Sequence, residues 1–167
     1  MANSTNRLQR ALSRIEGLPR PLRTKARSFA IGRVVPFVGT AGIVVDALGT
    51  EGGTFLLANK RRVGNHIGGV HAAATALLAE TASGLVLGVH VPDDKLPLLK
   101  SMHIDYVKRC RGALRAEAKL TPEQIAKVHA EPKGDVDVAV TVTDEGGGQP
   151  VVCQMVWAWV PNKKKKV

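Results

Sequence analysis

The spacing of apolar residues along the first 35 positions predicts two short helices. Three apolar residues at helical spacing are followed by two residues that end helices: Leu8, Leu12, Ile15, Gly17 and Pro19. Residues 22–35 carry a second helical pattern, closed by Pro36. Arginine and lysine occupy most polar positions of both segments, and Glu16 is the only acid there. Such a start is also typical of a mitochondrial transit peptide, although nothing marks a cleavage boundary.

From residue 40 the pattern changes to short β-like runs. "AGIVVDALG" and "TFLLANKRR" are separated by Glu51-Gly52-Gly53, which predicts a hairpin. Further along, "GLVLGVHV", stopped by Pro92, predicts a buried strand. "LLKSMHIDYVKRC" predicts a longer strand, and "GALRAEAKL" alternates apolar with charged residues as a half-buried strand does.

The last 47 positions contain the clearest alternation in the chain. "TPEQIAKVH" predicts a short helix capped by Thr121, with Pro122 at its first position. In "DVDVAVTVT" the valines fall on one face and polar residues on the other. After three glycines at 146–148 the chain returns as "VVCQMVWAWV", so the two runs predict a hairpin.

One stretch, "NHIGGVHAAATALLAETASG" at residues 65–84, is helical in composition. It predicts a helix from about His71 to Ser83 that is apolar on every side and therefore buried. Runs of strands joined by short turns indicate an antiparallel sheet, so the predicted class is α+β, with one curved sheet wrapped around one central helix. The helix contains Glu80, and a charged side chain is rarely buried unless it is paired or used.

The net charge of +10 indicates a polyanionic partner such as nucleic acid, anionic lipid or a phosphate-bearing cofactor. The cations form four groups: the first 33 residues, Lys60-Arg61-Arg62, Lys108-Arg109 with Arg111, and Lys163–Lys166. Cys110 and Cys153 have no metal-ligand spacing, so we expect no metal site and two reduced thiols in a cytoplasmic protein. No apolar run reaches about 18 residues without a charge, and we predict neither a transmembrane helix nor a signal peptide.

The helical stretch resembles the motif of the hotdog-fold acyl-CoA thioesterases, in the branch that includes the phenylacetate-pathway enzymes. The matching positions are Asn65, His71, Ala72-Ala73, Ala79 and Glu80. Two positions depart from the family pattern, with Ala-Ala in place of Gly-Gly and Glu where Asp is commoner. The resemblance divides the chain into a basic helical extension (1–35), a thioesterase-like domain (36–160) and a basic tail (161–167).

The resemblance implies hydrolysis of an acyl-CoA thioester, with coenzyme A as part of the substrate and no separate cofactor. It gives Glu80 the role of activating water or attacking the thioester carbon. Burial predicts a raised pKa for this carboxyl, which suits a general base. The Ala72 N–H would polarise the carbonyl, since the first N–H groups of a helix lack internal partners. His71 would shape the oxyanion site, and Asn65 would be a second polar group there.

Each of these residues also has an ordinary structural interpretation. Glu80 could reach solvent or pair with an arginine, His71 could cap the helix, and Asn65 could be a loop residue. Positions 72 and 80 lie about 12 Å apart along a helix, at ~1.5 Å per residue. Because one chain cannot easily bring both groups to one carbonyl carbon, we expect a homodimer or tetramer with the site at a twofold interface.

Two basic groups are candidates for binding the phosphates of coenzyme A. Lys60, Arg61 and Arg62 immediately precede the motif loop, while Lys108, Arg109 and Arg111 follow a long strand. The sequence alone does not decide between them.

Three other functions remain open. An acyl-thioester dehydratase or hydratase would share the fold, but its histidine motif is not found. An acyl-CoA sensor without turnover is compatible with the Ala-Ala departure. A nucleic-acid binder is compatible with the charge, but the sequence is 4% aromatic and has no recognised binding motif, so we predict no nucleic-acid partner.

Overall fold

A computed structural model describes residues 5–163. It begins with three helices: α1 (Arg7–Ser13), α2 (Arg20–Val34) and α3 (Pro36–Ala41). Asn6 caps α1, because its side chain accepts the Gln9 N–H while the Gln9 side chain accepts the Asn6 N–H. α2 ends at Val34, two residues before Pro36, because a proline interrupts the hydrogen bonds of a continuing helix. Pro36 then begins α3. The prediction of two helices missed α3.

The predicted first hairpin is present as β1 (Val44–Gly49) and β2 (Gly52–Leu57). Gly52 has a φ of 131°, and a Cβ there would lie 2.5 Å from the Ala118 carbonyl oxygen. Glycine is therefore required where this turn approaches the neighbouring strand.

The central helix, α4 (Ala72–His90), is longer than predicted. The prediction of a strand in "GLVLGVHV" is wrong, because residues 84–90 continue the helix to a cap at Val91. A short apolar run has no periodicity that separates a buried strand from a helix packed on all sides. Gly84 is tolerated within α4 because the Trp157 ring fills the position of its missing side chain, 2.6 Å from where a Cβ would lie.

The remaining elements are β3 (Lys95–Tyr106), β4 (Leu114–Lys119), α5 (Pro122–Ala130), β5 (Gly134–Asp137), β6 (Ala139–Asp144) and β7 (Val151–Pro161). Thr121 caps α5 as predicted. The strands form two antiparallel ladders, β1-β2-β4-β6 and β3-β7-β5. A 3₁₀ turn at Arg61–Val63 leads into the loop before α4.

The run "DVDVAVTVT" forms two strands, so the prediction of one strand is wrong in that respect. It divides at Val138, whose N–H donates to the Met155 carbonyl at 2.9 Å. β5 pairs with β7, whereas β6 leaves β7 and pairs with β4, so the predicted hairpin holds for its first half only. The alternation is as predicted, since Val136, Val138 and Val142 are buried and Val140 is half-buried. This segment joins both ladders into one sheet that curves around α4.

The core lies between α4 and both ladders. Leu78, Ala79, Ala82 and Val86 of α4 are fully buried against the strands. Leu12 of α1 and Ile31 of α2 belong to the same cluster of buried residues. The division of the chain at residue 35 stays a prediction.

By length and composition alone, α4 could cross a membrane. The core helix of a globular domain meets the same criteria, and here α4 packs against strands on several sides.

Candidate active site

The site begins at the first turn of α4, where His71 is the N-cap. Its Nδ1 accepts the Ala73 N–H at 3.1 Å, and its carbonyl accepts the N–H groups of Ala74 and Thr75 at 2.9 and 3.0 Å. The Ala72 N–H has no partner among residues 5–163. The capping interpretation of His71 is therefore confirmed, and it leaves one donor of the first turn free at the positive end of the helix.

The alanines in place of glycines cause no backbone strain. Among residues 5–163, every residue with a positive φ is a glycine, so Ala72 and Ala73 occupy ordinary helical backbone. A backbone donor keeps its direction when only a methyl group is added.

Tyr106, at the end of β3, fixes the start of α4. Its hydroxyl donates to the Ala72 carbonyl at 2.7 Å, and partial burial raises the pKa of the phenol, which keeps the donor protonated. Sequence reasoning missed this residue. The available signal was that Tyr106 is the only tyrosine in the chain.

The loop before α4 is shaped by Asn65. Its Oδ1 accepts the N–H groups of Ile67 and Gly69 at 3.1 and 2.9 Å, and its Nδ2 donates to the Val70 carbonyl at 3.2 Å. Both ends of the amide are thus engaged by the loop, with one Nδ2 hydrogen remaining. Gly68, with a φ of 80°, allows the loop to turn back.

A cavity of about 220 Å³ opens at this helix start. Its walls include the loop, the first turn of α4 and the chain after β3, with Asn65, Ala72, Tyr106, Lys108 and Arg109 among the lining residues. A second cavity of about 640 Å³ adjoins it, because Gly69, Lys108, Arg109, Cys110 and Pro150 line both.

The two candidate basic groups have different surroundings. Lys108 and Arg109 line both cavities, and Arg111 lines the larger one. Arg109 also donates to the Ile67 carbonyl at 2.6 Å. Lys60, Arg61 and Arg62 line neither of these cavities, and Arg62 Nε donates to the Ala41 carbonyl at the end of α3, at 3.1 Å.

Glu80 lies two turns further along α4. It is half-buried on a stripe that includes Ala76, Leu77 and Gly84, rather than fully enclosed. Burial raises the pKa of its carboxyl, and the neighbouring Thr81 hydroxyl opposes that shift in part. No ion pair within residues 5–163 involves Glu80, so the alternative of a core arginine partner is not found there. Glu80 does not line the cavity at Ala72 of its own chain.

No set of three or more His, Cys, Asp or Glu side chains in the described part of the chain could hold a metal ion. Both cysteines are free thiols, and burial raises the pKa of each.

Several solved structures resemble this fold, and some of them are described as thioesterases. Protein PA5026 of Pseudomonas aeruginosa, of unknown function and described as a probable thioesterase, is 21% identical with a TM-score of 0.73, over 87% of this chain and 97% of that one. Thioesterase HI1161 of Haemophilus influenzae is 14% identical with a TM-score of 0.65, over 82% and 92%. Protein BH2602 of Bacillus halodurans, solved with CoA, is 19% identical with a TM-score of 0.60, over 89% and 97%. These likenesses show a hotdog fold.

At the level of sequence, no curated protein matches the chain significantly. The model of one family, described as a domain of unknown function (DUF4442), matches residues 23–160. This range includes α4, β1 to β6, all of β7 except its last residue, and the cavity-lining residues named above. The chain therefore belongs to the DUF4442 family.

Proposed function

We propose that this protein hydrolyses an acyl-CoA thioester to the free acid and coenzyme A. The observation that carries the proposal is the Ala72 N–H, which has no partner among residues 5–163 and stands where the thioesterase motif has its oxyanion donor. Ala72 lines a cavity together with Lys108 and Arg109. The hotdog fold, the thioesterase descriptions of its structural neighbours and the CoA bound to one of them support it. The motif favours the phenylacetate-pathway-like branch.

In the proposed reaction, the Glu80 carboxylate takes a proton from water as the water oxygen attacks the thioester carbon. Negative charge then develops on the carbonyl oxygen, where the Ala72 N–H donates to it. Collapse of this intermediate breaks the carbon–sulfur bond, and the thiolate of coenzyme A leaves with the proton. Attack by Glu80 itself would give an anhydride that water hydrolyses to the same products. A raised pKa brings Glu80 closer to the pH at which a general base works best.

We propose that the active unit is a homodimer, or a tetramer built from such dimers. The separation of about 12 Å between positions 72 and 80 requires a second helix start to complete each site. β3 offers the surface for a partner, because it pairs only with β7 and its other edge is unpaired within residues 5–163. Exposed apolar residues follow this strand: Leu96, Leu98, Leu99, Met102 and Tyr106. An exposed edge of this length and composition is a template for strand pairing.

We assign the phosphates of coenzyme A to Lys108, Arg109 and Arg111. Lys108 and Arg109 line the cavity at Ala72 and the larger cavity that adjoins it, and Arg111 lines the larger one, whereas Lys60–Arg62 line neither. The assignment is tested by neutralising Lys108 and Arg111 together. We expect KM for acyl-CoA to rise strongly with little change in kcat, because phosphates far from the reacting carbon bind alike in ground and transition states. An acyl-pantetheine, which lacks the nucleotide, should be hydrolysed equally by wild type and variant.

The function itself is tested by thiol release from a panel of short, aromatic and long acyl-CoAs. Turnover of any member supports hydrolysis and identifies the acyl class. An acyl-CoA sensor is the second candidate, because Ala72-Ala73 stand where the thioesterase motif has Gly-Gly. Tight binding of acyl-CoA with no thiol release would select the sensor. A cytoplasmic location stays a prediction.

A further inference from the structure

Two of the three phenylalanines in this protein are exposed, and they lie on α2 and α3, two helices in contact with each other that we call the corner. Phe29 on α2 is 72% exposed and Phe37 on α3 is 64% exposed. Val34, the last residue of α2, is 79% exposed, and Leu22 near the start of α2 is 53% exposed. Exposed apolar residues grouped in this way mark a surface that meets a partner.

The corner is held tightly, so this exposure does not come from a loose helix end. Gly32 of α2 and Gly39 of α3 bring the two helices into backbone contact, and a Cβ on Gly39 would lie 3.1 Å from the Gly32 carbonyl oxygen. The corner is also attached to the core through Ile31 and Val38, which are buried.

The cations of α2 are of two kinds. Arg23 and Arg27 pair with Glu16, and Arg20 pairs with Asp46, so these three arginines hold α2 against the rest of the molecule. Lys25 and Arg33 form no ion pair with any described residue.

The unpaired cations share a face of α2 with Leu22 and Phe29. Leu22, Lys25, Phe29 and Arg33 follow one another at spacings of three and four, which places them on one side of α2. Arg27 and Ile31, both buried, lie on the opposite side. α2 therefore has an inner face for the core and an outer face that mixes apolar and basic residues.

The second basic group extends this surface. Arg62 donates to the Ala41 carbonyl at the end of α3, which places Lys60–Arg62 beside the corner. No acid occurs in residues 17–45 or 52–79 of the sequence, so the charge of this region is almost entirely positive.

We propose that the outer face of α2 and α3, with Lys60–Arg62 beside it, docks the protein on an anionic lipid bilayer. Aromatic and aliphatic side chains would enter the boundary between headgroups and acyl chains, while the cations meet the negative headgroups. A second copy of this chain would bring cations against cations. Nucleic acid would attract the cations, but it has no apolar interior into which Leu22 and Val34 could insert.

The experiment is cosedimentation of the full purified chain with vesicles, followed across a salt series. Vesicles of phosphatidylcholine alone are compared with vesicles that contain phosphatidylserine as well. We expect binding to the anionic vesicles only, and a steep loss of binding as salt rises. The double variant F29S/F37S should bind the anionic vesicles at least about tenfold more weakly, because it loses the inserted rings. K25Q/R33Q should also bind more weakly.

Matched controls are V152S, which changes an exposed apolar residue on β7, and K119Q, which removes an exposed cation on β4. Both should bind as the wild type does. The proposal is overturned if the wild type does not sediment with anionic vesicles, or if F29S/F37S binds them unchanged, which would indicate charge adsorption alone. It is also overturned if F29S/F37S changes the oligomeric state in solution, since the face would then join copies. The outcome does not depend on thioester hydrolysis.

Discussion

At the scale of single residues, the claim that can be isolated most cleanly is the role of the Ala72 N–H. Proline is tolerated at the first position of a helix, and His71 has the extended backbone (φ −64°, ψ 143°) that a following proline requires. Ala72→Pro therefore removes the donor and leaves the helix in place. We expect a loss of about 10²–10³-fold in kcat with little change in thermal stability.

Ala72→Gly is the control for that prediction, because it keeps the N–H group and restores the residue of the family motif. Its kcat should equal or exceed that of the wild type. Equal activity in the proline and glycine variants would exclude the backbone donor from the reaction.

His90 gives a prediction about stability. It is buried at the end of α4, with Nε2 3.2 Å from the Thr50 carbonyl oxygen. Burial lowers its pKa below 6.5, the hydrogen bond to the Thr50 carbonyl opposes that shift in part, and nearby His129 lowers the pKa further while Glu51 raises it. A lowered folded-state pKa means that the unfolded chain binds the proton more readily, so stability is present above about pH 6.5 and is lost as pH falls below it.

His90→Gln should therefore flatten the dependence of unfolding free energy on pH below about pH 6.5. Urea titrations at a series of pH values measure it, with the exposed His66→Gln as control. Because the pKa of His129 is also lowered, some slope should remain. An unchanged slope would show that His90 titrates alike in the folded and unfolded states.

The sequence revealed the candidate site residues only as positions, and the structure supplied their partners. His71 was open between an oxyanion role and a cap, and only the distance from its Nδ1 to the Ala73 nitrogen identifies the cap. Tyr106 was missed because its contact with Ala72 joins residues 34 positions apart, which no local pattern encodes.

At the scale of elements, Asn6 connects α1 to the far end of the central helix. Its Nδ2 lies 2.8, 2.9 and 2.7 Å from the carbonyl oxygens of Gly88, Val89 and Val91. Its Oδ1 accepts the Gln9 N–H at the start of α1. One buried side chain thus satisfies the ends of two helices.

Asn6→Asp keeps the acceptor for α1 but places a carboxylate oxygen against those carbonyls, at the negative end of α4. We expect it to destabilise the protein more than Asn6→Ala, which should cost about 1–3 kcal/mol. Urea unfolding of the two variants measures the difference. If Asn6→Asp were the more stable of the two, the contact with α4 would contribute little.

Elements marked by local turn or cap residues were predictable from the sequence. Elements whose conformation depends on contacts with distant parts of the chain were not. The turn at Gly52 and the cap at Thr121 are local, and both are where the sequence placed them. Residues 84–90 are apolar in either conformation, so enclosure by two ladders decides that they are helical. The break at Val138 follows from the curvature of the sheet, because β5 pairs with β7 and β6 with β4. The alternation in "DVDVAVTVT" does not reveal this change of partner.

At the scale of the whole molecule, the prediction is a site shared between two chains. An inactive Glu80→Gln chain mixed with an inactive Ala72→Pro chain should regain activity as subunits exchange. In a heterodimer, one of the two sites would combine an intact Ala72 with an intact Glu80, so up to about half of wild-type activity per heterodimer is expected. Heterodimers that form and stay inactive would place each site within one chain.

The central claim, that Glu80 performs the chemistry, is tested most directly by the kcat of Glu80→Gln in the thiol-release assay. The amide has the same shape but takes no proton and makes no attack, so we expect kcat to fall about 10²–10⁴-fold. Because burial raises the pKa of Glu80, the charged form is disfavoured in the folded state, and the variant should be no less stable than the wild type at pH 7. The exposed Glu117→Gln should retain full activity. A folded Glu80→Gln protein that keeps more than about a third of the wild-type kcat would contradict the assignment.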